Sequence, residues 1–189
     1  MINILLLIGK TASGKNTIID ELVKLGMNRV VAYTTRPMRK SEKDGVEYWF
    51  VTEEKFNELE KENFFAETTS YNVASGDLWH YGSPLYEMNE DSVMIVSPEG
   101  FDKLKKISAL NPISVYIMAD IETIWGRLID RGDNLREAKR RIGADDRDFA
   151  GIEDKVDFIF KNNGELKPVL LAEMIKYAYQ KTIGDKENG

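Results

Sequence analysis

This 189-residue chain predicts an α/β fold with a parallel central sheet. Three observations predict it. Near-continuous apolar runs recur at residues 4–8, 30–33, 93–96, 113–118 and 158–160, as strands covered on both faces require. Residues with helical spacing separate most of these runs. A glycine-rich turn joins the first run directly to a helical pattern. Strand and helix in alternation mean right-handed crossovers and a layered fold.

The elements follow in order. The run 2–8 has no basic leader, is short for a secretion signal and ends in a turn, so it reads as a buried strand. Ile18, Ile19, Leu22 and Val23 repeat at helical spacing, and Gly26 is the stop. The run 30–33 is the next strand. From 34 to 81 the pattern becomes extended, polar and aromatic, broken by a helix over 53–61, which reads as a small mixed β insertion. Leu104 and Ile107 mark a later helix. Ile124, Leu128 and Arg131 mark another, 139–149 a fourth, and 166–178 the one that closes the fold. The polar tail 184–189 is expected to fray.

Composition narrows the function. A net charge of −6 argues against a nucleic-acid binder, while a small anionic ligand needs only local positive charge. With no cysteine, disulfides, thiolate metal sites and cysteine nucleophiles are excluded, and a reducing cytoplasm is the expected setting. His80 is the only histidine, so one chain cannot build a multi-histidine metal site. No apolar run approaches membrane-spanning length.

The strongest local signal is Gly9, Lys10, Thr11, Ala12, Ser13, Gly14, Lys15, Asn16 and Thr17, set between an apolar strand and an amphipathic helix. This is a P-loop pattern of the Walker A kind. Glycines let the backbone wrap an oxyanion with its amides, and the helix end adds positive potential. Lys15 would sit on the β and γ phosphates of ATP. A strict motif has Ser or Thr after the lysine to hold Mg2+. Here Asn16 and Thr17 take that place, and an amide oxygen can ligate the ion or one of its waters.

A second constellation is Thr34-Thr35-Arg36-Pro37-Met38-Arg39, then Gly45-Val46-Glu47-Tyr48-Trp49-Phe50. Arg36 and Arg39 on one short loop, with the Tyr48 phenol, suit a phosphate monoester. Taken alone, two loop arginines are more often solvated surface. Phe64-Phe65-Ala66-Glu67 and Tyr81-Gly82-Ser83 follow in order. Together with the P-loop, these motifs resemble those of the guanylate kinases, in the nucleoside monophosphate kinase group, from the P-loop to about Leu166. The resemblance implies that Arg36, Arg39, Tyr48 and Tyr81 bind the acceptor phosphate. It implies that Glu67 accepts guanine N1–H and the exocyclic amine, and that Ser83 meets the carbonyl edge. Adenine has neither donor and would leave a desolvated carboxylate unpaired.

Three departures stand out. Ala32 replaces the serine that opens the family's arginine loop. Several residues are inserted in 71–80, so the pocket rim must differ. Ser97 replaces the second aspartate of an Asp-x-Asp segment, which leaves Mg2+ chiefly to phosphates and water, with Asp120 or Glu99 as the nearest carboxylates to consider.

A third constellation, Arg127, Arg131, Gly132, Arg140 and Arg141, reads as a helix–glycine–helix lid. The resemblance places Arg127, Arg131 and Arg141 at the transferring phosphoryl group, and Asn162 beside the adenine of ATP. Arg136 belongs to a solvated face. The whole is one P-loop three-layer domain: a core of 1–33 and 84–183, an acceptor-binding insertion of about 34–83, and a lid of about 127–150. The implied activity is ATP-dependent phosphorylation of GMP or dGMP, with Mg2+, in the cytoplasm. The partners are small-molecule nucleotides, with no nucleic acid or membrane, and the protein is a monomer or homodimer. Two other readings are a kinase of another acceptor (a deoxynucleoside monophosphate or ribose 1,5-bisphosphate) and a catalytically silent binding module. The silent module is the weaker, because such modules usually lose Lys15, Arg131 and Arg141.

Overall fold

The computed structural model describes every residue except 41, 74, 75, 188 and 189. Its first element, β1 (Ile2–Ile8), is wholly interior from Ile4 to Ile8. Alternation sends Leu5 and Leu7 to one face and Ile4, Leu6 and Ile8 to the other. Each such side chain contributes about 1.5–3 kcal/mol by leaving water. Both faces are covered, so the apolar run is unbroken.

After β1 come α1 (Lys15–Lys24), β2 (Asn28–Arg29), β3 (Tyr33–Thr34), β4 (Trp49–Phe50) and α2 (Glu53–Lys61). Next are β5 (Phe65–Asn72), β6 (Leu78–Pro84), β7 (Ser92–Ile95), α3 (Pro98–Leu104) and β8 (Leu110–Met118). The chain ends with α4 (Ile121–Asp130), α5 (Leu135–Asp148), β9 (Phe158–Lys161) and α6 (Pro168–Glu187). The central sheet has the order β2-β7-β1-β8-β9, and its pairings are parallel. α1 and α6 pack on one face through Ile18, Leu22, Leu171, Ile175 and Tyr179. α3 packs on the other through Phe101 and Leu104. This is the expected three-layer α/β arrangement.

A second sheet, β4-β3-β6-β5, is mixed: β3 and β4 are parallel, the other neighbours antiparallel. α2 covers it, with Phe56 stacked on Phe65 at 4.7 Å and on the His80 ring at 5.3 Å.

Three sequence expectations need correction. The run 30–33 is not one strand. Val30 still donates to the Val93 carbonyl of the central sheet at 3.0 Å, whereas Tyr33 pairs with Trp49 and Gly82 in the second sheet. Ile107 lies beyond α3, in a turn closed by its amide on the Leu104 carbonyl. Residues 184–187 do not fray but continue α6, because Ile183 packs against the core one turn past Tyr179 and Lys186 reaches Asn111 Oδ1 at 2.8 Å. Residues 188 and 189 of that tail lie outside the described residues. Among the described residues no helix is long and apolar enough to cross a membrane.

Candidate active site

The loop from β1 to α1 is shaped by sterics. Gly14 caps α1 with φ 95°, and Ala12 also takes a left-handed φ of 55°. At Gly9 a Cβ would lie 2.6 Å from the Ile117 carbonyl oxygen and 2.6 Å from Ser13 Oγ, so only glycine fits. The first turn of α1 has no acidic residue, which leaves its positive end free for an anion. The loop is braced from behind. Asn162 Nδ2 donates to the Ser13 carbonyl at 2.8 Å, and Arg127 donates to the carbonyls of Ala12 (3.1 Å) and Asn162 (2.8 Å). These contacts give Arg127 and Asn162 a positioning job that the sequence did not disclose.

Lys15 folds back on the loop, donating to the Gly9 and Lys10 carbonyls. Burial pulls its pKa down to about 8; Asp145 opposes this and Arg131 adds to it. Asp145 comes from α5, where its Oδ2 accepts the Thr11 amide at 2.6 Å, and its neighbour Asp146 pairs with Lys10 at 2.6 Å. Nothing in the sequence pattern marks Asp145.

On the opposite wall, Arg36 is only 3 % exposed. Its fork grips Glu42 at 2.8 and 3.0 Å, and Glu42 also accepts the Arg39 amide at 2.8 Å. Burial is the largest single influence and works against the Arg36 charge, but the hydrogen bonds to Glu42, together with the electrostatic effects of Tyr81, Glu42 and Tyr48, raise the pKa. Glu42 was missed in the sequence because it is one acid in a polar stretch, brought back by a turn. Arg39 differs: burial and then the charges of Arg36, Arg141 and Arg131 depress its pKa. Four guanidiniums thus bear on one region, which an incoming phosphate would relieve. Tyr48 lies beside Tyr81 at 5.7 Å, and burial pushes its pKa up to about 12, so it remains a donor.

Glu67 and Ser83 face each other across β5 and β6, and Ser83 Oγ donates to Glu67 Oε1. Glu67 Oε2 is buried with no hydrogen-bond partner. Burial raises the Glu67 pKa, which Ser83 and then Lys103 oppose. A buried carboxylate oxygen without a partner, on a residue that lines a cavity, is a receptor for a donor.

Between α4 and α5, Arg131 caps α4 and holds Asp133 at 2.6 and 2.7 Å. Arg141 donates to Glu137 at 2.9 Å and lies 3.8 Å from Asp133. Arg140 grips Glu137 and reaches the Asn72 carbonyl at 3.2 Å, tying α5 to the β5–β6 hairpin. Arg136 is exposed, as expected. Arg131, Arg140 and Arg141 thus rest on acids of their own segment.

Two adjoining cavities, of about 340 and 250 Å³, share Thr11, Lys15, Arg39, Tyr48, Tyr81 and Ile95. The first adds Asn16, Thr17, Arg36, Arg127 and Arg131. The second adds Ala32, Glu67, Ser83, Ser97 and Arg141. The β1–α1 loop, through Gly9, Thr11, Lys15, Asn16 and Thr17, and the arginine loop therefore open on one cleft. Among the described residues no cluster of three or more His, Asp or Glu could hold a metal. Asp120 is the cap of α4, accepting Thr123, Glu99 pairs with Lys103 at 2.7 Å, and neither lines either cavity. Asn16 and Thr17 offer two neutral oxygens beside the anion cradle, a set that suits an ion held mainly by phosphates and water.

Known proteins resemble this chain along most of its length. The profile described as Guanylate kinase matches residues 1–171. A guanylate kinase of Clostridioides difficile (strain 630) is 26% identical over 195 residues, covering 95% of this chain and 92% of the relative. One from Lactobacillus johnsonii is 29% identical over 172 residues, with 81% of each chain covered. The crystal structure of guanylate kinase from Anaplasma phagocytophilum superposes with a TM-score of 0.69 at 24% identity, covering 96% of this chain and 86% of that one, which supports the shared fold. The chain belongs to the guanylate kinase family, and so to the phosphotransferases that act on nucleoside monophosphates.

Proposed function

We propose that the chain transfers the γ-phosphoryl group of ATP to the phosphate of GMP or dGMP, giving GDP or dGDP and ADP. The observation that carries this reading is the shared cleft: Lys15 and the loop amides on one wall, Arg36, Arg39, Tyr48 and Tyr81 on the other.

The residues divide the work. The amides of Gly9 to Thr17 and Lys15 cradle the ATP phosphates. Arg36, Arg39, Tyr48 and Tyr81 grip the acceptor phosphate and hold its oxygen in line with the γ phosphorus. Arg131 and Arg141 close from the lid onto the transferring group, while Arg127 and Asn162 brace the loop beneath it. Glu67 takes guanine donors, and Ser83 orients Glu67 and the base. Mg2+, held by Asn16, Thr17, phosphates and water, would offset phosphate charge. No strong base is needed, because the acceptor phosphate is already ionised. Lid closure keeps water from competing. The setting for this chemistry is the cytoplasm.

The other acceptors fit less well. A ribose bisphosphate has no base to satisfy Glu67 Oε2. A silent module is disfavoured by Lys15 and Arg131, which line the cleft wall, with Arg141 in the adjoining cavity. An ADP-release assay over a panel of monophosphate acceptors tests the reading. GMP and dGMP should be turned over at least about a hundredfold more efficiently than AMP. Turnover of another monophosphate, with GMP and dGMP both inert, would overturn the substrate assignment.

A further inference from the structure

β5 and β6 run on past the phosphate clamp. Their ladder continues through Thr69 opposite Tyr81 and Tyr71 opposite Trp79 to Asn72 opposite Leu78. Alternation puts Glu67, Thr69 and Tyr71 on the cavity side, with Ser83, Tyr81 and Trp79 across from them. Tyr71 therefore stands on the same wall as Glu67, its ring packed edge-on to Tyr81 at 5.7 Å. Burial pushes its pKa up, which hydrogen bonding toward Ser97 and then Thr69 opposes, and all three residues line the one cavity. Ser97 caps α3, its Oγ accepting the Gly100 amide at 3.0 Å, which leaves that oxygen a second lone pair. Ser97 and Glu67 converge: one point above Gly100, where a Cβ would sit, is 2.8 Å from Glu67 Oε2 and 3.3 Å from Ser97 Oγ.

Guanine presents three protons along one edge, one on N1 and two on the 2-amino group. A carboxylate can take two of them. The third needs another acceptor, or the amine is buried with a proton unpaired. Ser97 Oγ converges with Glu67 Oε2 and Tyr71 lines the same cavity, so two neutral hydroxyls are at hand for it.

We infer that Tyr71, working with Ser97, is a specificity-determining residue that accepts the outer proton of the acceptor's 2-amino group and so separates guanine from hypoxanthine. This inference rests on the guanine nucleotide reading of the same site. The β5–β6 hairpin delivers Tyr71, and Arg140 on Asn72 ties that hairpin to α5.

The test is kcat/KM for GMP and for IMP, which lacks the amine but keeps N1–H and the 6-oxo group. The wild-type chain is expected to favour GMP by about tenfold or more. Tyr71→Phe is expected to lower kcat/KM for GMP about tenfold and leave IMP within about twofold, with ATP affinity unchanged. Equal losses on both substrates would make Tyr71 a hairpin support only, and an unchanged ratio would remove it from recognition; either result overturns the inference. Equal wild-type turnover of GMP and IMP overturns it without any variant. If neither purine is phosphorylated while another acceptor is, the guanine reading itself fails, which is a different outcome.

Discussion

The two walls of the cleft handle positive charge in opposite ways. On the acceptor wall, Arg36 is deeply buried yet keeps its proton firmly, because Glu42 sits against its fork. On the donor wall, Lys15 donates only to the uncharged carbonyls of Gly9 and Lys10 and to Ser13 Oγ, and burial brings its pKa to about 8. The arginine is therefore assembled before any ligand arrives, held by an internal carboxylate. The lysine rests on neutral oxygens, still mostly protonated at neutral pH, and on the proposed reading a phosphate would raise its pKa again. A guanidinium suits the first role because its charge is fixed and its fork is planar, and an ammonium suits the second because its charge is compact and adjustable.

Breaking the donor wall gives the largest effect. Lys15→Ala should lower kcat by about a thousandfold or more while the fold persists. Steady-state ADP release and a thermal melt together check this, and near-normal turnover in the variant would remove Lys15 from the cradle. Breaking the acceptor wall should cost stability as well as binding. Glu42→Gln strips a buried arginine of its partner and should destabilise the protein by about 3–5 kcal/mol, with kcat/KM for GMP down tenfold or more. Urea unfolding beside acceptor titration measures both.

A pH series sharpens the contrast further. The folded pKa of Lys15 lies below its ordinary 10.5, so the unfolded chain binds the extra proton between about pH 8 and 10.5. Stability of the nucleotide-free protein should therefore rise with pH across that window. If ATP binds the charged lysine, ATP affinity should fall roughly fivefold between about pH 8 and 9 and approach tenfold per unit above that, as calorimetry would show. Acceptor affinity should stay nearly flat up to about pH 8.5, because Arg36 does not titrate there. The smallest expected change is Ala32→Ser. Ala32 lines the cavity with Glu67 and Ser83, so a hydroxyl there should raise the GMP-to-AMP preference a few fold.

The donor side was the more legible in sequence, for the same physical reason. An apolar strand, two glycines, a lysine and an amphipathic helix act through backbone geometry over a dozen adjacent residues, so the pattern is local. Glu67, Tyr81 and Ser83 were readable as motifs, and β5 and β6 bring them to one wall. What stayed hidden depends on contacts distant in sequence. Asp145 reaches Thr11 from α5, and Arg127 and Asn162 meet behind the loop. Glu42 returns to Arg36 through a turn that no periodicity announces. The run 30–33 misled because its apolar residues serve two sheets in succession. The polar end of α6 misled because Ile183 is a lone apolar anchor among charges.

The central claim, that both phosphate sites open on one cleft, is tested most directly by a dinucleoside pentaphosphate with adenosine at one end and guanosine at the other. The account predicts that one molecule binds per chain and competes with both ATP and GMP. A compound that competed with only one of them, or that bound twice, would contradict it.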